Sequence, residues 1–351
     1  MQKGGRRFLS RLSLALSLPL SLSLSLSLSL EYNHLLNVTT AHLTVSLSVS
    51  LLPTLIANPI IKVEESLACR LSTHDLFSDK VPLKHIFSNQ LKEMAAGQPS
   101  SRGRMLRIRQ EMATLSDSLP PGIHVAFDET RFDCLRAMIV GAEGTPYANG
   151  CFFFDLYIPS NYPQVPPGCK IITTGKGKFR FNPNLYSNGK VCLSLLGTWA
   201  GPGWDPQLST LFQVLLSIQA MVMCADPIQN EPSWEYKVGT PEGERFDRAV
   251  QHGTLLYAML DHLKDPPYGF EQVTHAHFWL HKQDILQQIR EWRAFQASPC
   301  SAKVNCNYGR EDTISAVTFE DTANELEALL TELPKPHVSV DSDTDTDSDS
   351  D

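Results

Sequence analysis

An α+β fold is predicted by three observations: an amphipathic helix, then a cluster of short apolar runs divided by turn residues, then strongly helical patterns towards the end. The helix runs from Ser101 to Leu115, where Met105, Ile108, Met112 and Leu115 fall at i, i+3, i+7 and i+10 and form one apolar stripe. Leu119-Pro120-Pro121-Gly122 stops it. The apolar runs are Cys134 to Val140 and Cys151 to Ile158, separated by Gly141 to Pro146 and by Asn149-Gly150, which is hairpin chemistry. A third run, Cys169 to Thr173, follows the proline-rich stretch Tyr162 to Pro167, which reads as an extended connector to an antiparallel meander. Leu208 to Cys224 is apolar on most sides, as expected of a central helix, and Asp226-Pro227 ends it. Further helices are predicted at 241–263 and 272–297, with a weaker one at 319–333.

Composition sets the limits. The chain has 351 residues, 42% apolar and 19% charged, which excludes a wholly unstructured protein. Six aspartates lie between Asp341 and Asp351; taking their charge from the net −8 leaves −2, so the body offers no electrostatic case for nucleic acid. Eight cysteines, at 69, 134, 151, 169, 192, 224, 300 and 306, form no CxxC pair, which speaks against a zinc ribbon and a disulfide scaffold and for a reducing compartment. His277 and His281 stand at i, i+4, but His275 is out of register and no acid completes a metal set, so no metal or other cofactor is expected.

At the start, Lys3, Arg6, Arg7 and Arg11 precede a strict Leu/Ser alternation from Leu20 to Leu30. Hydroxyls at every second position suit neither a signal peptide nor a membrane span. The organisation read from these patterns is a low-complexity, poorly ordered extension over 1–100, a folded core over 101–265 and a helical extension over 266–300. A linker with a weak helix at 301–340 and an acidic disordered tail at 341–351 complete it. The tail's Ser and Thr residues, set among acids, are candidates for phosphorylation.

The chemistry concentrates between meander and central helix, in the stretch Arg180 to Trp199. Cys192 follows the Asn188-Gly189 turn in a loop-rich region held between apolar layers, and Asn184, eight residues upstream, offers a neutral amide donor. A thiol and an amide donor are what acyl transfer through a thioester requires: a nucleophile, and a partner for the oxyanion of the tetrahedral intermediate. No histidine lies within fifty residues of Cys192, so no local Cys-His protease pattern is present. Trp199 and Trp204 are expected to pack beneath this loop.

This segment resembles the active-site signature of ubiquitin-conjugating (UBC-fold) enzymes, in which a His-Pro-Asn tripeptide precedes the acceptor cysteine by eight residues. Here Asn182-Pro183-Asn184 and Cys192 keep that spacing, with Asn in place of His. Gly144 to Tyr147 with Gly150, Phe152-Phe153-Phe154, Tyr162-Pro163-x-x-Pro166-Pro167, Leu215 to Gln219, and Asp226-Pro227 through Asn230-Glu231-Pro232 follow the family's order from about 101 to 297. Asn184-Leu185-Tyr186, Gly189 to Cys192, Leu195 to Trp199 and the helical extension after Pro266-Pro267 are most similar to the large BRUCE-type hybrid subgroup.

The resemblance implies that Cys192 accepts ubiquitin from an activating enzyme and loses it to a lysine amine, while Asn184 steadies the oxyanion. It implies that Glu231, on the gate loop, lowers the pKa of the incoming lysine or orients it, with Asn230 assisting. Arg104, Arg107 and Arg109 on the first helix would face the activating enzyme. Ubiquitin, the activating enzyme, a ligase and protein substrates are the partners implied, with a cytoplasmic or nuclear location and no membrane. The alternatives are a UBC-fold module that binds ubiquitin or a partner without catalysis, against which the cysteine argues, and an unrelated cysteine hydrolase.

Overall fold

The computed structural model describes strands at 13–17, 23–33, 38–47 and 71–74, and residues 85–96, 101–128, 131–298 and 318–336. Two compact units divide the chain at Lys62 and Val63. In the first, β1 (Ser13–Ser17), β2 (Ser23–Asn33) and β3 (Val38–Leu47) form an antiparallel sheet in the order β1-β2-β3. The Leu/Ser alternation has the period of a strand, and much of it lies within β2.

The second unit is built on a five-stranded sheet in the order β4-β5-β6-β7-β8. These strands are β4 (Leu71–His74), β5 (Ile123–Asp128), β6 (Cys134–Val140), β7 (Cys151–Tyr157) and β8 (Gly168–Ile171). β5 to β8 form the predicted antiparallel meander with β5 added at its start, and β4 pairs parallel to β5. Helices α1 (Ser88–Ala96) and α2 (Arg102–Ser118) precede the meander. After it come α3 (Leu211–Ser217), continued by a π turn at Ile218–Val222, and α4 (Pro241–Gly253), continued by a π-helical segment and α5 (Asp261–Lys264). Last are α6 (Glu271–Leu280), α7 (Lys282–Ala297) and α8 (Phe319–Glu332).

Both faces of the sheet are covered, which explains why β6 and β7 read as continuous apolar runs rather than alternating ones. Leu135, Ala137, Ile139, Phe152, Phe154 and Leu156 point into one cluster with Ile108, Met112 and Leu115 of α2 and Leu211, Val214 and Leu215 of α3. Cys134, Met138, Cys151 and Phe153 point into the other, with Leu91 of α1, Phe278 of α6, Ile285 and Ile289 of α7, and Leu326 of α8. In this second layer Asp155 accepts from Arg136 Nε at 2.6 Å and from the Ile86 backbone N–H at 2.8 Å, so a buried ion pair anchors the segment that leads into α1.

Several expectations are corrected. The expected poorly ordered extension over 1–100 contains β1 to β4 and α1, and the folded unit reaches back before 101, because Phe87 and Leu91 fill the second layer. The central helix begins at Leu211 rather than 208, since the Asp205 carboxylate caps a turn by accepting from Gln207 and Leu208 N–H, and Thr210 then forms a capping box with Gln213. The helix expected at 272–297 is broken at His281, whose φ of −92° and ψ of 13° leave the helical region. Residues 301–317, the acidic tail from Asp341, and Cys69, Cys300 and Cys306 lie outside the described residues.

Candidate active site

Between β8 and α3 the chain forms a compact loop held by backbone and side-chain bonds together. Asn182 to Leu185 is a tight turn: Leu185 N–H donates to Asn182 O at 3.0 Å, and Asn184 N–H donates to Asn182 Oδ1 at 2.8 Å. The next turn closes at Gly189, whose φ of +86° suits glycine, and a Cβ there would stand 2.9 Å from Ile171 O. Ile171 N–H donates to Gly189 O at 3.0 Å, which fastens this hairpin to β8.

Cys192 and Asn184 clasp each other. Cys192 N–H donates to Asn184 O at 2.8 Å, and Asn184 Nδ2 donates to Cys192 O at 2.7 Å. The spacing of eight therefore has a concrete meaning: it is the length of chain that lets the turn and the cysteine pair in both directions. Asn184 Oδ1 is buried and accepts nothing, the kind of orphaned polar atom that functional sites retain at a cost in stability. An amide nitrogen carries two hydrogens, and Cys192 O takes one of them.

The peptide groups on either side of Cys192 are held by one hydroxyl that the sequence reading passed over. Thr198 Oγ1 donates to Val191 O at 2.6 Å and accepts from Leu193 N–H at 2.9 Å. A single helical turn at Ser194–Leu196, ended by Gly197 at φ +66°, brings Thr198 back to that point. Cys192 itself is 1% exposed, so its sulfur is covered, yet it belongs to neither apolar cluster. Burial in the sheet pushes Cys151 and Cys169 far above the ordinary thiol range.

The remaining candidate residues divide. Asn230, expected to assist in catalysis, turns its amide inward, donating to Val222 O at 3.0 Å and to Asn182 Oδ1 at 3.3 Å. Glu231 follows it, half-buried, at the end of the turn Pro227–Asn230. Arg104, expected to face a partner, is 3% exposed and donates to Pro159 O, Ile158 O and Asp133. Arg107 is half-buried, bonded to Glu111 at 2.8 Å and to Ser209 O. Both belong to the scaffold. Glu111 also accepts from Tyr162 Oη and from Leu211 N–H, so α2, the proline connector and the start of α3 meet at one carboxylate. Arg109 is exposed, alongside Arg102 and Leu106. Trp204 packs against Tyr162 and donates to Pro163 O at 2.7 Å, which fastens it to the proline connector.

The histidines act within the scaffold: His277 bonds to Asn149 O and His275 to Pro334 O. Among the described residues no group of three metal-ligating side chains occurs, and no helix is long and apolar enough to cross a membrane.

A family model described as ubiquitin-conjugating enzyme matches residues 107–250. A Caenorhabditis elegans protein, probable ubiquitin-conjugating enzyme protein 17, is 42% identical over 224 residues, covering 61% of this chain and 31% of the relative. The human dual E2 ubiquitin-conjugating enzyme/E3 ubiquitin-protein ligase BIRC6 is 40% identical over 261 residues, 71% of this chain and 5% of that protein. A solved Toxoplasma gondii ubiquitin conjugating enzyme E2 domain is 30% identical, covers 44% of this chain and 98% of that one, and has a TM-score of 0.35. The chain thus spans about a third of the worm relative's length and a twentieth of the human one's. On the family match and these identities, the chain belongs to the ubiquitin-conjugating enzyme family.

Proposed function

We propose that this protein is a ubiquitin-conjugating acyltransferase that carries ubiquitin as a thioester on Cys192. In the first step the Cys192 thiolate attacks the thioester carbonyl between ubiquitin's carboxyl terminus and a cysteine of the activating enzyme, whose thiolate leaves. In the second, a substrate lysine amine attacks the new thioester, the Cys192 thiolate leaves, and an isopeptide bond forms with loss of the amine's proton. One observation supports the reading: in the two-way clasp between Asn184 and Cys192, the cysteine's backbone is fixed by the residue that carries the amide donor.

Asn184 serves both tasks, because the hydrogen not given to Cys192 O is available to the oxyanion. A carboxylate beside an ammonium stabilises the charged form, so Glu231 would raise rather than lower the lysine's pKa; orienting the amine and receiving its proton is the role that fits it. The exposed residues Arg102, Leu106 and Arg109 of α2 are the proposed face for the activating enzyme. Transfer requires the segment after Cys192 to yield, since the sulfur is covered. The ligase designation of the human relative describes a protein of which this chain spans 5%, and the reading here extends to conjugation alone.

The covered sulfur favours a second reading, a module that holds ubiquitin or a partner without catalysis. Incubation with activating enzyme, ATP and ubiquitin, followed by a non-reducing gel, separates the two. A thiol-sensitive adduct that Cys192→Ser abolishes or converts to a thiol-resistant oxyester supports conjugation. Absence of any adduct supports the binding module.

A further inference from the structure

We infer that Asn182 is a positioning residue that couples the gate segment Pro227–Asn230 to the turn carrying Asn184, so that the state of the gate is felt at the reacting centre. The inference rests on the conjugation reading and goes beyond it. Asn182 has no exposed surface, and its side chain makes four hydrogen bonds. Its Nδ2 donates to Tyr147 Oη at 2.9 Å and to Val222 O at 2.8 Å, while its Oδ1 accepts from Asn184 N–H at 2.8 Å and from Asn230 Nδ2 at 3.3 Å.

Two donors and two acceptor sites are the full capacity of a carboxamide, and all are occupied. Tyr147 fixes the orientation, because its hydroxyl donates to Phe181 O at 3.0 Å and so must accept from Asn182. The π turn at Ile218–Val222 closes the arrangement by presenting Val222 O to both Asn182 and Asn230. The active-site turn, the stretch from the end of the central helix into the gate, and Tyr147 before β7 thus converge on one amide.

An imidazole, which the family's tripeptide carries at this place, has one donor and one acceptor when neutral. It can meet at most two of the four demands, and its single acceptor cannot serve Asn184 and Asn230 together. The amide is therefore what joins the gate to the turn in this chain. When the gate shifts to admit a lysine, Asn230 moves, Asn182 Oδ1 changes its share between two donors, and the Asn184 backbone follows. Because the gate is engaged by the incoming amine, discharge should feel this link more than charging does.

A double-mutant cycle tests it, with single-turnover discharge of the charged protein to free lysine as the readout. Asn230→Ala and Asn182→His are each expected to slow discharge about threefold to tenfold, as loss of one hydrogen bond does, and more than either slows charging. The double variant is expected to be no slower than the slower single. If the two factors multiply, or if Asn230→Ala discharges at the wild-type rate, the coupling is refuted. Should Asn182→His fail to fold, amide hydrogen exchange on Asn230→Ala decides: residues 184 to 192 exchange at least threefold faster while β6 and β7 are unchanged. Unaltered exchange there overturns the inference. This second arm needs no ubiquitin, so a wild-type protein that never charges removes the conjugation reading while exchange still decides the coupling.

Discussion

Replacing Asn184 with alanine separates two roles that the geometry assigns to one side chain. The amide's bond to Cys192 O, 2.7 Å long in a residue 9% exposed, is lost, and a buried carbonyl is left without its partner. That costs about 1–3 kcal/mol. Asn184 Oδ1, however, is already buried without a partner, and deleting it recovers a desolvation cost of similar kind. The net loss of stability is therefore expected at the low end, about 1 kcal/mol, roughly a fivefold change in any equilibrium the loop controls. Removal of an oxyanion donor is a larger effect, about a hundredfold to a thousandfold on the step it serves. The expected outcome is a small drop in the urea midpoint, charging within about fivefold of wild type, and discharge to lysine at least a hundredfold slower. Pulse-chase discharge and charging are measured on the same preparation. If discharge and charging fall by the same modest factor, Asn184 only holds the loop, and its second N–H has no part in the reaction.

Three further outcomes follow from other parts of the molecule. Arg104→Ala, which takes a donor from Ile158 O and leaves Pro159 O to Tyr162 N–H and Asp133 to Arg131, should lose about 1–3 kcal/mol of stability, whereas Arg109→Glu should leave the unfolding midpoint unchanged and slow charging severalfold; the reverse pattern would restore Arg104 to a docking face. Asp155→Ala removes the carboxylate that faces the buried Arg136 guanidinium and accepts from the Ile86 N–H, and should cost about 3–5 kcal/mol by urea unfolding, with a loss under about 1 kcal/mol refuting the anchor. Burial holds His277 and His262 neutral, with pKa values lowered to about 3, and His252 lowered to about 4, so below pH 6.5 the unfolded chain takes up protons that the folded one does not. Burial, with Asp226 and Glu244 nearby, raises Asp247 to about 7, which acts in the opposite sense between pH 4 and 7. Burial raises the Asp261 carboxyl as well, but three histidines outweigh two carboxyls, so stability is expected to fall from pH 6.5 towards pH 4, by about 1.4 kcal/mol per pH unit for each net proton. A urea midpoint that rises between pH 6.5 and 5 would contradict it.

What the sequence makes legible here is what is local. The interval from Asn184 to Cys192, the glycine in the Asn188-Gly189 turn and the strand Cys134–Val140 can each be read from a few adjacent residues, and they stand where expected. Strand β5 is harder, because it begins straight after a proline-glycine stop and carries His124 at its second position. Helix α1 offers only Leu91 as a fully buried anchor amid polar neighbours. The arginines of α2 were readable but need the right face: Arg104, Ile108, Glu111 and Leu115 are spaced by four, three and four, which puts Arg104 on the buried stripe and leaves Arg109 outside it. The convergence on Asn182 is invisible to such patterns, since its partners lie up to 48 residues away and share no period.

The double covering of the sheet bears on how the protein is handled. A recombinant fragment cut to the conserved stretch 107–250 would keep Cys134, Met138, Cys151 and Phe153 but discard Phe278, Ile285, Ile289 and Leu326, which shield them. Such a truncation bares a greasy plane on an otherwise folded body and invites clumping. Soluble preparations should therefore begin upstream of His85 and run through α8, and biochemical silence from a shorter piece would say nothing about Cys192.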